Sequence, residues 1–208
     1  MSRHPKPTHV VLAACVGAFC IAMGLREDVN VWIGTGAAAV VSILLLSLWA
    51  RASIRSSLER PALQSVLVGV AVGIAMSFAI WWLYPLSIAI LPPIEGQVET
   101  LYALLRQPPG PIRAFPLLLL VVAAEELVWR GLAIDVFSKV LGPWRAVLVS
   151  ALLYVLPQIA FRSPLLMIIA LLCGLVWGAL RVRFKNLAAP LSAHVIWDVL
   201  VFIMYPVA

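Results

Sequence analysis

Glu125 and Glu126 stand side by side in an otherwise apolar run, Val121-Val122-Ala123-Ala124-Glu125-Glu126-Leu127-Val128-Trp129-Arg130. A second apolar run, Leu191-Ser192-Ala193-His194-Val195-Ile196-Trp197-Asp198, carries a histidine and a further carboxylate. On a helix, Glu126 and Arg130 are four residues apart with the acid first, the favourable order for an ion pair. Pairing offsets the cost of taking both charges out of water, which suits a structural role and leaves direct chemistry open. Glu125 lies about 100° further round the helix, with no cation of its own on that helix. It can serve as a general base or acid, or be a packing carboxyl hydrogen-bonded to a neighbouring helix. His194 and Asp198 are also four apart and share a face. An acid beside an imidazole holds one tautomer and one orientation. Asp135, near the end of the run that holds Glu125, is the fourth carboxylate of the two segments.

Other candidates carry weaker signals. Tyr154 and Gln158 are four apart in a later run, where a glutamine commonly makes an interhelical hydrogen bond. Gly174 and Gly178 form a face of small residues suited to close helix packing. Trp129 and Trp197 each adjoin a site residue and fit either packing or substrate contact. Cys15, Cys20 and Cys173 lie in apolar runs without metal-ligand spacing and read as small core or lipid-facing side chains.

The elements that must position these groups follow from composition. The chain of 208 residues is 63% hydrophobic and only 12% charged, with a mean hydropathy of +1.06. A soluble domain has about twice that share of charged residues, so lipid has to be the solvent for most of this chain. Apolar runs of spanning length occur at roughly 8–25, 29–50, 65–91, 113–137, 143–160, 164–181 and 188–206. The segment 94–106 reads as a short interfacial helix, with Ile94, Val98, Leu101, Leu104 and Leu105 as its apolar side. The expected fold is therefore all-α, a polytopic transmembrane bundle of about seven spans plus one interfacial helix. The N-terminal residues before the first run imitate a signal peptide, but no small-residue cleavage site ends that run, which reads as a retained span.

The net charge of +6 sits in the loops and sets orientation, with no nucleic-acid partner implied. Arg3 and Lys6 precede the first run; Arg51, Arg55 and Arg60 (against Glu59) follow the second; Lys139 and Arg145 follow the fourth; Arg181, Arg183 and Lys185 follow the sixth. The alternate loops hold Arg26-Glu27-Asp28, Glu95 and Glu99 against Arg106, and Arg162. The positive-inside rule then places the N-terminus in the cytoplasm, and the expected location is a bacterial cytoplasmic membrane. Pro5, Pro7, Pro92, Pro93, Pro108, Pro109 and Pro111 punctuate tails and loops. An ionised side chain at a helix centre costs about 2.5–3.5 kcal/mol on insertion scales, so the buried cluster needs a reason.

The run Glu125-Glu126-Leu-Val-Trp-Arg130 resembles the Glu-Glu-x-x-x-Arg motif of the CPBP intramembrane protease family, which includes the CAAX-prenyl proteases and bacteriocin-processing homologues. His194-x-x-x-Asp198 is similar to the family's final His-x-x-x-Asn/Asp motif. At the place of the second motif, Phe-x-x-x-His, this chain has Tyr154 and Gln158. The resemblance covers roughly 113–202, dividing the chain into N-terminal helices (1–112) and a catalytic core (113–208). It implies an intramembrane endopeptidase in which Glu125 activates water and His194 and Asp198 hold the developing oxyanion or orient the site. Glu126 and Arg130 would support them. The expected substrate is a membrane-anchored protein or peptide, cut in a sorting or maturation step, with no cofactor. One histidine is a thin zinc set, since catalytic zinc usually takes three protein ligands. Gln158 can hydrogen-bond a water or an oxyanion but cannot carry a proton, which keeps open an impaired homologue acting as a scaffold, immunity or binding protein. A small transporter with a Glu125–His194 proton relay is the third reading. From the helix ends, Glu125 is expected about 18 Å and His194 about 9 Å from the cytoplasmic side. Joining them calls for a tilted or broken helix, or a wet cleft from the cytoplasm.

Overall fold

A computed structural model describes residues 8–58 and 63–207. Arg3, Pro5, Lys6, Pro7, Glu59 and Arg60, used above to read orientation and tails, lie outside the described residues. Those described form helices joined by short loops, with no strand among them, in the order α1 (Thr8–Gly24), α2 (Val31–Trp49), α3 (Arg51–Leu58), α4 (Leu63–Ile90), α5 (Pro93–Leu105), α6 (Phe115–Glu125), α7 (Ile134–Leu141), α8 (Pro143–Phe161), α9 (Pro164–Phe184) and α10 (Ala188–Asp198). Two π-helical segments, Glu126–Ala133 between α6 and α7 and Val199–Met204 after α10, complete the set.

Four helices, α2, α4, α8 and α9, are long and apolar enough to cross a bilayer, and Thr8–Gly24 and Ala188–Met204 are shorter apolar helices. The protein is thus an integral membrane protein. The fourth expected span is one continuous helical rod from Phe115 to Leu141, but its middle third is wound as π-helix. A π-turn bonds i to i+5 and widens the rod locally, a feature found mostly at functional sites. The last expected span changes winding in the same way directly after Asp198.

Helix ends are set by recognisable local chemistry. Asn30 caps α2, its side-chain oxygen accepting from Trp32 N (2.9 Å) and Ile33 N (3.4 Å). Ser163 caps α9 by accepting from Leu166 N, with Pro164 in the first turn. Gly142 joins α7 to α8 at φ 80°, where a Cβ would be strained.

Small residues bring the site-bearing helices together. A Cβ on Gly174 would meet Ala151 at 2.9 Å, and one on Gly178 would meet Val147 at 2.7 Å, so α9 packs against α8 almost backbone to backbone. The same device recurs on α4, where Ser65, Gly69, Gly73 and Ser77 form a buried stripe. A Cβ on Gly69 would collide with the Ala189 carbonyl, and one on Gly73 would lie 2.6 Å from the Ala193 carbonyl. The carrier of His194 and Asp198, α10, is therefore seated on α4. Helix α5 is tied in at the other end of the bundle. Its Gln97 accepts from Ser163 Oγ (2.8 Å) and Leu165 N (3.1 Å), and Tyr102 donates to the Val201 carbonyl (2.8 Å) in the second π-segment.

Candidate active site

Glu125 ends α6 and Glu126 begins the π-segment, so the two neighbouring carboxylates leave the rod in different directions. Glu126 turns into the protein, with its Oε1 3.1 Å from Arg130 Nη1 and both side chains about 1% exposed. The same oxygen lies 2.9 Å from His194 Nδ1, which joins the rod to α10. With a carboxylate as acceptor, Nδ1 carries the hydrogen, and the other ring nitrogen is left facing the remaining acids. His194 Nε2 is 3.8 Å from Glu125 Oε2 and 3.6 Å from Asp198 Oδ2. Both distances exceed hydrogen-bond length and are of the size that a bridging water spans.

Aromatic rings hold this arrangement. Trp177 on α9 stacks on the His194 ring at 3.8 Å between centroids and 22° between planes. The Arg130 guanidinium lies over the Tyr154 ring at 4.5 Å and over Trp177 at 4.9 Å, so its charge is met by two π-faces as well as by Glu126. Tyr154 OH donates to Glu125 Oε2 at 2.8 Å, a short hydrogen bond that fixes Glu125. The π-segment itself is tied to α8, where Ser150 donates to the Trp129 carbonyl at 2.6 Å.

Glu125, Tyr154, Gln158, His194 and Asp198 all line a cavity of about 170 Å³. Ligand pockets for whole drug-sized molecules run to about 300–1,000 Å³, so this space suits a short unwound stretch of chain rather than a helix. Glu126 and Arg130 are not part of its wall. They stand behind His194, where they can orient the ring and balance charge without touching a ligand. Among the described residues, no group of three His, Cys, Asp or Glu side chains could hold a metal ion.

The structure brings together Glu125, Glu126, Arg130, His194 and Asp198, and places Gln158 in the cavity wall beside them. Asp135 is apart from this cluster. It pairs with Arg181 Nη2 at 3.1 Å, toward the far end of α9. The two tryptophans left open above separate: Trp129 is fully buried against Phe19 and Tyr154, whereas Trp197 lines the cavity. Three features lay outside the sequence reading. The Tyr154 hydroxyl contacts Glu125, Trp177 stacks on His194, and Cys173 lies in the cavity wall. Trp177 falls between Gly174 and Gly178, and its place on the close-packed stretch of α9 was the available signal. The two helices meet at the π-wound part of the continuous rod, and the cavity beside them is lined from the helix ends that feed the loops 25–30, 106–114 and 162–163.

A family model described as Type II CAAX prenyl endopeptidase Rce1-like matches residues 107–200. That part of the chain, less than half of it, is similar to the family, and the matched stretch contains every residue of the cluster. No curated protein and no solved structure matches the chain.

Proposed function

We propose that the protein is a glutamate-dependent intramembrane endopeptidase that cuts a membrane-anchored polypeptide. The observation that carries this reading is the position of His194, whose Nδ1 is held by Glu126 while Nε2 faces both Glu125 and Asp198 at the end of a cavity. In this reading 113–208 is the catalytic core of a seven-span bundle, and 1–112 supplies the helices that support it.

A water in the cavity gives a proton to Glu125 as its oxygen attacks the peptide carbonyl carbon. The carbonyl π-electrons move to oxygen, and a tetrahedral oxyanion forms. Protonated His194 and Asp198 donate hydrogen bonds to that oxyanion, and Gln158 can add its amide N–H. The oxyanion then collapses, the C–N bond breaks, and the proton held by Glu125 passes to the leaving nitrogen. The products are a carboxylic acid and an amine. Tyr154 keeps Glu125 aimed at the water. Glu126 and Arg130 keep His194 in one tautomer.

Purified protein is tested in detergent against candidate membrane-anchored substrates, wild type beside Glu125→Ala and His194→Ala. Cleavage lost in both variants is the expected result; cleavage that survives either change overturns the assignment. Gln158 favours a second reading, a binding protein that uses the same cavity without cutting. That reading gains if substrates bind to wild type and none is cleaved.

A further inference from the structure

The cavity is not central in the bundle. Its wall includes Met23 near the end of α1, Trp32 at the start of α2, Leu105 at the end of α5, Phe161 at the end of α8 and Leu166 near the start of α9. All five sit at helix ends that feed the loops 25–30, 106–114 and 162–163. From the opposite ends of these helices, nothing contributes to the wall. Glu125, the innermost acid, is ten residues into α6 from Phe115, about 15 Å at 1.5 Å per residue. That is half of a hydrocarbon core of about 30 Å. The cavity therefore spans one leaflet, from the bilayer middle to one face.

Charge identifies that face. On the cavity side, Arg26, Arg106, Arg113 and Arg162 are balanced by Glu27, Asp28, Glu95 and Glu99. On the other side, Arg51, Arg55, Lys139, Arg145, Arg183 and Lys185 outnumber the acids of the sequence there, Glu59 and Asp135. An excess of Lys and Arg marks cytoplasmic loops, so the cavity side is the extracytoplasmic one. The wall itself contains no Lys or Arg, and its only acids are Glu125 and Asp198 at the inner end. The remainder is apolar or aromatic apart from Thr35, Tyr154, Gln158 and His194. A charged side chain entering this space would lose its hydration without gaining a partner.

We propose that the substrate reaches Glu125 from the extracytoplasmic face, as an uncharged, apolar stretch of a membrane-anchored polypeptide whose cut bond lies in the outer half of the bilayer. This rests on the endopeptidase reading for the word "cut", but the sidedness and the selectivity for apolar chain do not. The fit to a short unwound stretch places the susceptible bond where a spanning segment leaves the membrane, because a segment frays there first.

Sidedness is read by cysteine accessibility in the full chain, with Cys15, Cys20 and Cys173 replaced by Ala. Leu166→Cys reports the mouth of the cavity, and Val140→Cys, an exposed position at the end of α7, reports the opposite face. A small membrane-impermeant thiosulfonate is expected to modify Leu166→Cys in intact spheroplasts and Val140→Cys only in inverted vesicles. Modification of Leu166→Cys from the same side as Val140→Cys, or from neither side, overturns the proposal. Selectivity is read in the same preparation with two synthetic peptides, an uncharged Leu/Ala hexapeptide and one with Lys at its centre. The first is expected to slow modification of Ile169→Cys, deeper in the wall, several-fold, and the second is not. Equal effects, or none, overturn the apolar selectivity. Both arms are repeated with Glu125→Gln, which changes neither pattern. Accessibility as expected with no Glu125-dependent cleavage refutes the enzyme and leaves the entry route standing.

Discussion

Two ionic clusters are buried among the same helices, at different depths. In one, Arg181 of α9 reaches Asp135 of α7 at 3.1 Å and Ser57 of α3 at 3.4 Å, and Ser57 accepts from Leu187 N through its carbonyl at 2.9 Å. In the other, Glu126 binds Arg130 and His194, and His194 in turn faces Glu125 and Asp198. The first joins three helices and the start of α10, with Arg181 and Asp135 as an ion pair between α9 and α7. The second gathers three carboxylates around a single histidine and leaves two of them, Glu125 and Asp198, on the wall of a cavity. A clamp that only holds helices together has little use for acids beyond those it neutralises. Surplus carboxylates facing a space are the mark of a group kept for a ligand or a proton.

The comparison is tested hardest by Glu125→Gln. Gln keeps the shape of the side chain and can still accept from Tyr154, but it cannot take a proton from water. Removal of a general base commonly costs about 10²–10⁴-fold in rate, and that loss is expected here with thermal stability in detergent close to wild type. A variant that unfolds together with its loss of activity would make Glu125 a structural residue like Asp135.

Arg130→Met should show the opposite separation. It keeps an apolar stem between Tyr154 and Trp177 but strands Glu126 in a site where both partners are about 1% exposed. Breaking a buried pair by removing one partner costs about 3–5 kcal/mol. Denaturant unfolding in micelles is expected to register most of this, and activity is expected to fall only as far as His194 loses its orientation. Asp135→Asn is expected to cost less, about 1–2 kcal/mol, since its side chain is 23% exposed and a neutral amide can still accept from Arg181. Its cleavage rate per folded molecule should match wild type. A rate loss beyond its stability loss would place Asp135 in the chemistry.

What could be read in the sequence follows the same division. The four-residue spacings of Glu126 with Arg130 and of His194 with Asp198 correspond to ion-pair distances in the structure, because both are properties of a single helix. Contacts between helices were less legible. The seating of α10 on Gly69 and Gly73 depends on which faces meet, and α4 read as an ordinary span with nothing to mark its partner. The π-segments left no trace either, since an i to i+5 turn changes winding without demanding a distinctive residue pattern. Asp135 shows the cost of that gap. On one rod it counted with Glu125 and Glu126, and only the packing of α3 and α9 around it reveals a separate clamp.

Tyr154 and Gln158 give the smallest and most discriminating prediction. Both line the cavity, and of the two it is Tyr154 that hydrogen-bonds Glu125. Tyr154→Phe removes that hydroxyl and keeps the ring beneath Arg130. A lost hydrogen bond to a charged group is worth about 1.5–3 kcal/mol, part of which a water in the cavity can recover, so a rate loss of about tenfold is expected, or 1.4 kcal/mol in the barrier. Gln158→His in the same background supplies a second proton-carrying group on the next turn of α8. If Tyr154 merely packs, Tyr154→Phe leaves the rate and its pH profile unchanged, and the added histidine acts independently. If Tyr154 holds the base, the double variant recovers part of the lost rate and gains a pH dependence in the histidine range that the single variant lacks. The two positions are then coupled through Glu125.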